Sequence, residues 1–378
     1  MPLHKLITIL FCFQTATSFS QSIKFDDWKN LTTSGKLPVQ CKIQHSNNNL
    51  DLVKFNGKYF LSFRTAPNHF ASKKAVLYVV SSTDLENWNY ETEINLASDL
   101  REPRFAVFYD TLNLYFFRGG TNTFKFEPKE VFVLRKTANT NWTLPQTIHL
   151  DGFVPWRLRE RNDTLYLSAY YGKNLYQNSH HSNLRLFWSV NVVDWKPISQ
   201  EPQVDILSAE EGEFIFDKQG NLFSTVRLEG TGSLVCRADK DSLYIWQKVR
   251  RKIKYDSALL FDHGDDIYLV SRRNLDGDID KVKHRKNERQ GRISNLIRYS
   301  ITRKVTALFK LNKEDLSLTH ITDFPSNGDN AYAGIAKIDD HTYALINYSC
   351  DIKKKKSSWL AGQLSKTFIY QTTLRFNP

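Results

Sequence analysis

An apolar strand, a turn holding Gly, Asp or Asn, and a second apolar strand recur six times along this chain. The copies read LDLVKFNGKYFLSFR from Leu50, PRFAVFYDTLNLYFFR from Pro103, PWRLRERNDTLYLSAYY from Pro155, GEFIFDKQGNLFSTVR from Gly212, DSALLFDHGDDIYLVSRR from Asp256 and YAGIAKIDDHTYALINYS from Tyr332. Each is a hairpin signal. A third strand and a Trp-bearing turn follow, and Trp88, Trp142, Trp195 and Trp246 are spaced by 54, 53 and 51 residues. One such unit cannot bury both of its faces and must stack on its neighbours, which is the logic of a propeller blade. The repeat therefore predicts an all-β chain: a six-bladed β-propeller of four-stranded antiparallel blades, with five blades as the alternative and under a tenth of the chain helical. The four tryptophans are expected to fill space between blades. Either Pro38 to Gln44 or Phe368 to Phe376 is expected to supply the strand that closes the ring. The basic insert Asp276 to Arg303 reads as a long surface excursion.

Composition agrees with strands: 25 Phe, 17 Tyr and 8 Trp stand against one Met, and 41% of residues are hydrophobic. Aromatic side chains suit a pleated, half-buried surface. Residues 1–22 have the layout of a secretory signal peptide, with an apolar run from Leu6 to Phe13 that is too short to span a bilayer. A secreted or periplasmic protein with one propeller domain over 23–378 and no membrane span is the expectation. Cys41, Cys236 and Cys350 remain after the leader, so disulfides do not hold the fold. Sequons at Asn30, Asn141, Asn162 and Asn347 matter only in a eukaryotic secretory pathway.

The formal charge of +12 suits an acidic partner. Much of it lies in Lys281 to Arg292 and Lys353 to Lys356, read as solvated loops. With a leader and no nucleic-acid motif, an anionic carbohydrate is the expected partner, not nucleic acid. His180 and His181 sit in a polar stretch, and no His, Cys or carboxylate set has metal-site spacing, so no metal or other cofactor is expected.

In a propeller the two strands of each hairpin begin and end at one mouth of the central channel, where ligand pockets form. Those positions hold Asn48, Asp51, Glu102, Arg104, Trp156, Arg157, Glu210, Glu211, Glu213, Asp256 and Tyr332, with Arg64, Arg118, Arg227 and Arg272 at strand ends. Paired carboxylates serve glycoside cleavage, and arginine forks bind a substrate carboxylate. The candidate catalytic set is Glu211, Tyr332, Asp256 and Glu102. The candidate substrate-binding set is Arg227, Arg272, Arg104, Arg157 and Trp156.

The segments Glu210 to Arg227 and Asn330 to Tyr348 resemble sialidase segments in which a glutamate precedes a strand, an arginine ends the returning strand, and a tyrosine opens the last blade. The resemblance implies that Glu211 polarises Tyr332, that Tyr332 attacks the anomeric carbon, and that Arg227 and Arg272 clamp a sugar carboxylate. Asn47, Asn48 and Asn49 stand where that family has Arg-Ile-Pro, and its acid/base aspartate has no evident counterpart. STDLENW at Ser82 to Trp88 and Arg101-Glu102-Pro103 are instead similar to motifs of five-bladed invertase-like and arabinanase-like hydrolases, whose nucleophile would fall at Asn48. A secreted glycoside hydrolase acting on an acidic or decorated glycan is the leading functional expectation. A five-bladed hydrolase or phosphorylase and a non-catalytic glycan-binding propeller are the alternatives.

Overall fold

The computed structural model describes residues 22–123, 125–172, 181–278 and 288–377. Six antiparallel sheets follow one another along the chain, with innermost strands Ser46–Phe55, Asp99–Phe108, Phe153–Arg161, Ala209–Phe216, Asp256–His263 and Asn330–Lys337. Each innermost strand touches the next, and the sixth touches the first, so the sheets close into a ring of six blades, not five. Local chemistry makes the hairpins. In blade 1, Asn56 and Gly57 both have positive φ (46° and 75°) between the paired Phe55 and Lys58. That is the two-residue turn whose twist matches the flanking strands.

Both faces of a blade are buried, so alternation sorts side chains between neighbours instead of between core and water. On strand Lys58–Ala66 the side chains of Tyr59, Leu61 and Phe63 join a cluster with Ile346 and Tyr348 of blade 6. Phe60 joins Leu112, Leu114 and Phe116 of blade 2. The spaced tryptophans do fill such seams: Trp142 packs against Phe60 and Phe105, and Trp195 against Tyr115.

Ring closure differs from expectation. Phe368 to Phe376 is the third strand of blade 6, within Thr367–Phe376, and Ile23–Phe25 pairs along it as the outer edge. Pro38 to Gln44 forms no strand. The basic insert also differs. Residues 279–287 are outside those described, but Glu288–Ile301 forms a helix (α1) that returns to the ring, and Trp359–Gln363 forms a short helix (α2) against it. Lys353 to Lys356 are exposed, as read. Of the polar stretch around the two histidines, His180 lies outside the described residues and His181 opens strand His181–Ser189. Cys41, Cys236 and Cys350 are all free and buried. Asn347 is 1% exposed, so its sequon is closed to modification in the folded chain. Among the described residues no helix is long and apolar enough to cross a membrane.

Candidate active site

Every innermost strand breaks register near its start: between Asn48 and Leu50, Arg101 and Arg104, Pro155 and Arg157, Glu210 and Glu213, Asp256 and Leu259, and Ala331 and Gly334. These bulges lie at equivalent points of the six blades and place Asn49, Glu102, Trp156, Glu211, Ser257 and Tyr332 in one ring. Five of the six residues adopt left-handed backbone, with φ of 42° at Asn49, 52° at Glu102, 50° at Glu211, 51° at Ser257 and 51° at Tyr332. Side chains other than glycine resist this region by about 1 kcal/mol or more each. Bulges re-aim side chains, and strain concentrated in one ring marks a site.

Contacts run from one bulge to another. Asn49 Nδ2 donates to Glu102 Oε1 at 2.8 Å, and Arg104 Nη2 to Glu102 Oε2 at 3.0 Å. Tyr332 Oη donates to Glu211 Oε1 at 3.2 Å, and the Ser257 amide donates to Glu211 Oε2 at 2.8 Å. The Tyr332 ring rests on Trp156 (5.4 Å between centroids) and Tyr348 (6.0 Å). Burial first, then the negative charges of Glu102 and Glu211, push the Tyr332 phenol well above its ordinary range, so it is neutral at rest.

Arg227 sits among four carboxylates. Its Nη1 is 2.5 Å from Glu211 and its Nε 2.7 Å from Glu229, with Asp256 at 3.3 Å and Glu210 at 3.8 Å. Lys254 adds a contact of 2.8 Å to Glu229. Burial would push Glu229 up, but Arg227 and Lys254 outweigh it and hold the carboxyl below the usual range. Glu210 goes the other way, raised well above by burial. Arg272 donates to the Asn330 carbonyl and to Tyr299 Oη. Tyr299, from α1, also donates to Asp256, and its ring lies 4.0 Å from both Lys254 Nζ and Lys304 Nζ.

The structure thus gathers Glu102, Glu211, Asp256, Tyr332, Arg227 and Arg272 at one mouth. Three of the expected substrate contacts are engaged within the protein, as is Arg272 at 3% exposed. Trp156 is 0% exposed beneath Tyr332 and Arg104. Arg104 is buried against Glu102 and the Leu50 carbonyl, and Arg157 against Asp51 and Glu213. These side chains support the floor of the site. Of the other strand-end arginines, Arg64 is buried on Asp99, while Arg118 pairs with Glu130 at the surface.

Sequence reasoning missed Glu229, Lys254, Tyr299, His69 and Asp329. The signal for Glu229 is its position in the turn two residues after Arg227, just past the strand Leu222–Leu228; the others carry no local signal. A cleft of 340 Å³ opens beside this mouth, bordered by His69, Arg101, Phe126, Arg227, Glu229 and Trp359, and it meets the gathered set at Arg227. Among the described residues no group of three or more His, Cys, Asp or Glu is placed to hold a metal ion.

Glu102 gives a direct stability test. Burial raises its carboxyl to about 7, against the pull of Arg104. Its folded value lies above the unfolded one near 4.5, so the folded state holds the extra proton, and the contribution of Glu102 to stability falls as pH rises from 4.5 through 7. Glu102→Gln cannot ionise. Urea unfolding should therefore show the variant gaining on wild type across that window by up to about 3 kcal/mol. A gap that is constant with pH would show that Glu102 does not titrate there.

No known family's sequence profile matches the chain, and no curated protein matches it by sequence. Solved structures do match. A protein of unknown function from Dyadobacter fermentans superposes with a TM-score of 0.65 at 13% identity, over 94% of this chain and 99% of that one. Trypanosoma rangeli sialidase in complex with sialic acid gives a TM-score of 0.59 at 11% identity, over 88% of this chain and 54% of that one. The phage phi92 endosialidase gives 0.56 at 12%, over 87% of this chain and 67% of that one. The chain spans about half the length of the trypanosomal enzyme. Six four-stranded blades around one axis, together with these superpositions, make the protein a six-bladed β-propeller of the sialidase-like fold.

Proposed function

We propose that the protein is a glycoside hydrolase in which Tyr332 attacks the anomeric carbon and Glu211 accepts the phenolic proton. The observation that carries this reading is the 3.2 Å contact from Tyr332 Oη to Glu211 Oε1 within the strained ring. A weak nucleophile needs an adjacent base, itself oriented by a third group. Arg227 and the Ser257 amide are that third element. A neutral phenol suits an anomeric centre that carries its own carboxylate, because a carboxylate nucleophile would meet like charge there.

An acidic or decorated glycan is accordingly the substrate class, with Arg227 and Arg101 at the cleft as its charge partners. The N-terminal 22 residues support secretion or a periplasmic location for such an enzyme. A neutral sugar is the second reading. It is favoured by the engagement of Arg227 Nε, Nη1 and Nη2 with Glu229 and Glu211, which leaves a substrate carboxylate to compete with acids already in place.

Trapping separates the two. The full chain, incubated with 2,3-difluorosialic acid or with 2-deoxy-2-fluorogalactosyl fluoride, is examined by intact mass and peptide mapping. One equivalent of the acidic sugar on Tyr332 is expected. Labelling of Tyr332 by the neutral reagent alone selects the second reading, and turnover without labelling of Tyr332 by either reagent rejects the tyrosine nucleophile.

A further inference from the structure

We propose that His69, held against the buried carboxylate of Asp329, is the proton donor and then the proton acceptor of this cleavage; the assignment rests on the hydrolase reading above. His69 Nδ1 lies 2.7 Å from Asp329 Oδ2, with the His69 side chain 18% exposed and Asp329 fully buried. His69 borders the cleft beside Arg101 and Arg227. Asn48 Nδ2 is 3.3 Å from the same ring nitrogen, so both neighbours crowd the Nδ1 edge and Nε2 is the nitrogen left to meet a ligand.

Asp329 is built into place. Tyr348 Oη and Trp359 Nε1 donate to its Oδ1 at 3.0 and 3.1 Å, and Arg272 lies 3.6 Å away. Helix α2 packs so closely here that a Cβ on Gly362 would fall 2.0 Å from the Asp329 backbone nitrogen. Burial would raise the Asp329 carboxyl, but His69 and Arg272 outweigh it and hold it below the usual range. A buried carboxylate against one ring nitrogen orients an imidazole and stabilises its protonated form. Charged groups near His69 include Arg101, whose Nη2 donates to the His69 carbonyl, Asp99, which pairs with Arg101, and Arg64, which donates to the Asn68 carbonyl, and the same cleft is lined by Arg227, Glu229, Lys125 and Glu127.

The protons balance over two steps. Imidazolium Nε2 gives its proton to the glycosidic oxygen as the bond from that oxygen to the anomeric carbon breaks and the alcohol leaves. Tyr332 Oη bonds to the anomeric carbon and its proton passes to Glu211. Neutral His69 then takes a proton from water as the water oxygen bonds to the anomeric carbon. The tyrosyl bond breaks, and the phenol recovers its proton from Glu211.

The test uses sialyllactose, whose leaving group needs a proton, and the 4-methylumbelliferyl glycoside of sialic acid, whose leaving group needs little help. For His69→Gln, kcat/KM on sialyllactose should fall a hundredfold or more, and on the aryl glycoside tenfold or less. The alkaline limb of the wild-type pH profile, where the acid loses its proton, should vanish. Asp329→Asn, which leaves the imidazole but removes the carboxylate that orients it, should lower kcat/KM on sialyllactose more than on the aryl glycoside, in the same sense as His69→Gln. Equal losses on both substrates, or a retained limb in His69→Gln, overturn the assignment while leaving the tyrosine mechanism standing. Wild-type inactivity on both substrates overturns the acidic-glycan reading and this assignment with it, and full activity of Tyr332→Phe overturns the tyrosine mechanism on which the assignment rests.

Discussion

Turnover of a susceptible glycoside by Tyr332→Phe should fall a hundredfold or more, with KM within about twofold of wild type. The substitution removes one oxygen. The ring contacts with Trp156 and Tyr348 and the cation over the ring from Arg104 all remain, so the floor of the site keeps its shape. The lost group acts only as the transition state forms. At rest the phenol is neutral, held so by burial and by the charges of Glu102 and Glu211. An interaction made only in the transition state lowers kcat and kcat/KM together. Steady-state kinetics on the aryl glycoside of sialic acid, with circular dichroism to establish the fold, decides the matter. A change confined to KM would assign Tyr332 to binding and reject it as the nucleophile.

Arg227→Ala should cost about 3 to 5 kcal/mol of stability at pH 7, the range for removing one member of a buried ion pair. It removes the cation common to Glu211, Glu229, Asp256 and Glu210, leaving Lys254 as the remaining close partner of Glu229. The sign with pH follows from Glu229. In the wild type its carboxyl is held below the usual range, so its contribution is present above about 4.5 and is lost as pH falls through the folded value. Without Arg227, burial works against the charged form, and the variant is least stable where the carboxylates ionise. The gap between the two proteins in urea unfolding should therefore be widest near pH 7 and narrow towards pH 4. Arg227→Lys keeps charge but loses the fork, and should fall between them. A gap of the same size at both pH values would mean that the side chain stabilises by packing alone.

The ring was legible in the sequence because its cause is local. Asn56-Gly57 makes a turn, a period of two makes strands, and strands buried on both faces at intervals of about 50 residues leave stacking as the only way to cover them. The placement of Arg227 and Arg272 at the mouth was legible from their strand ends, whereas the pairing of Glu211 with Tyr332 was implied by the resemblance of their segments to sialidase segments, and its geometric cause appears only in the structure. The bulge recurs at one register in all six blades, so its residues meet once the ring closes.

Two matters were settled only by tertiary structure. Helix α1 is inverted relative to its pattern: Ile293, Ile297 and Ile301 are 47%, 59% and 63% exposed, while Asn295 and Tyr299 are buried against the ring. Periodicity locates a face but not its partner, and here the partner is a polar channel mouth holding Asp256 and Arg272, which reward a phenol and an amide over an isoleucine. The occupancy of the arginines is the second. A sequence places Arg227 and Arg272 at strand ends, but whether each guanidinium is open to a ligand or engaged by acids depends on side chains from other turns and blades. Glu229 comes from the turn two residues on, Lys254 from the entry to blade 5, and Asp329 from the entry to blade 6. Charge balance in a buried site is a property of everything packed within a few ångströms, and neighbours in that space are distant along the chain.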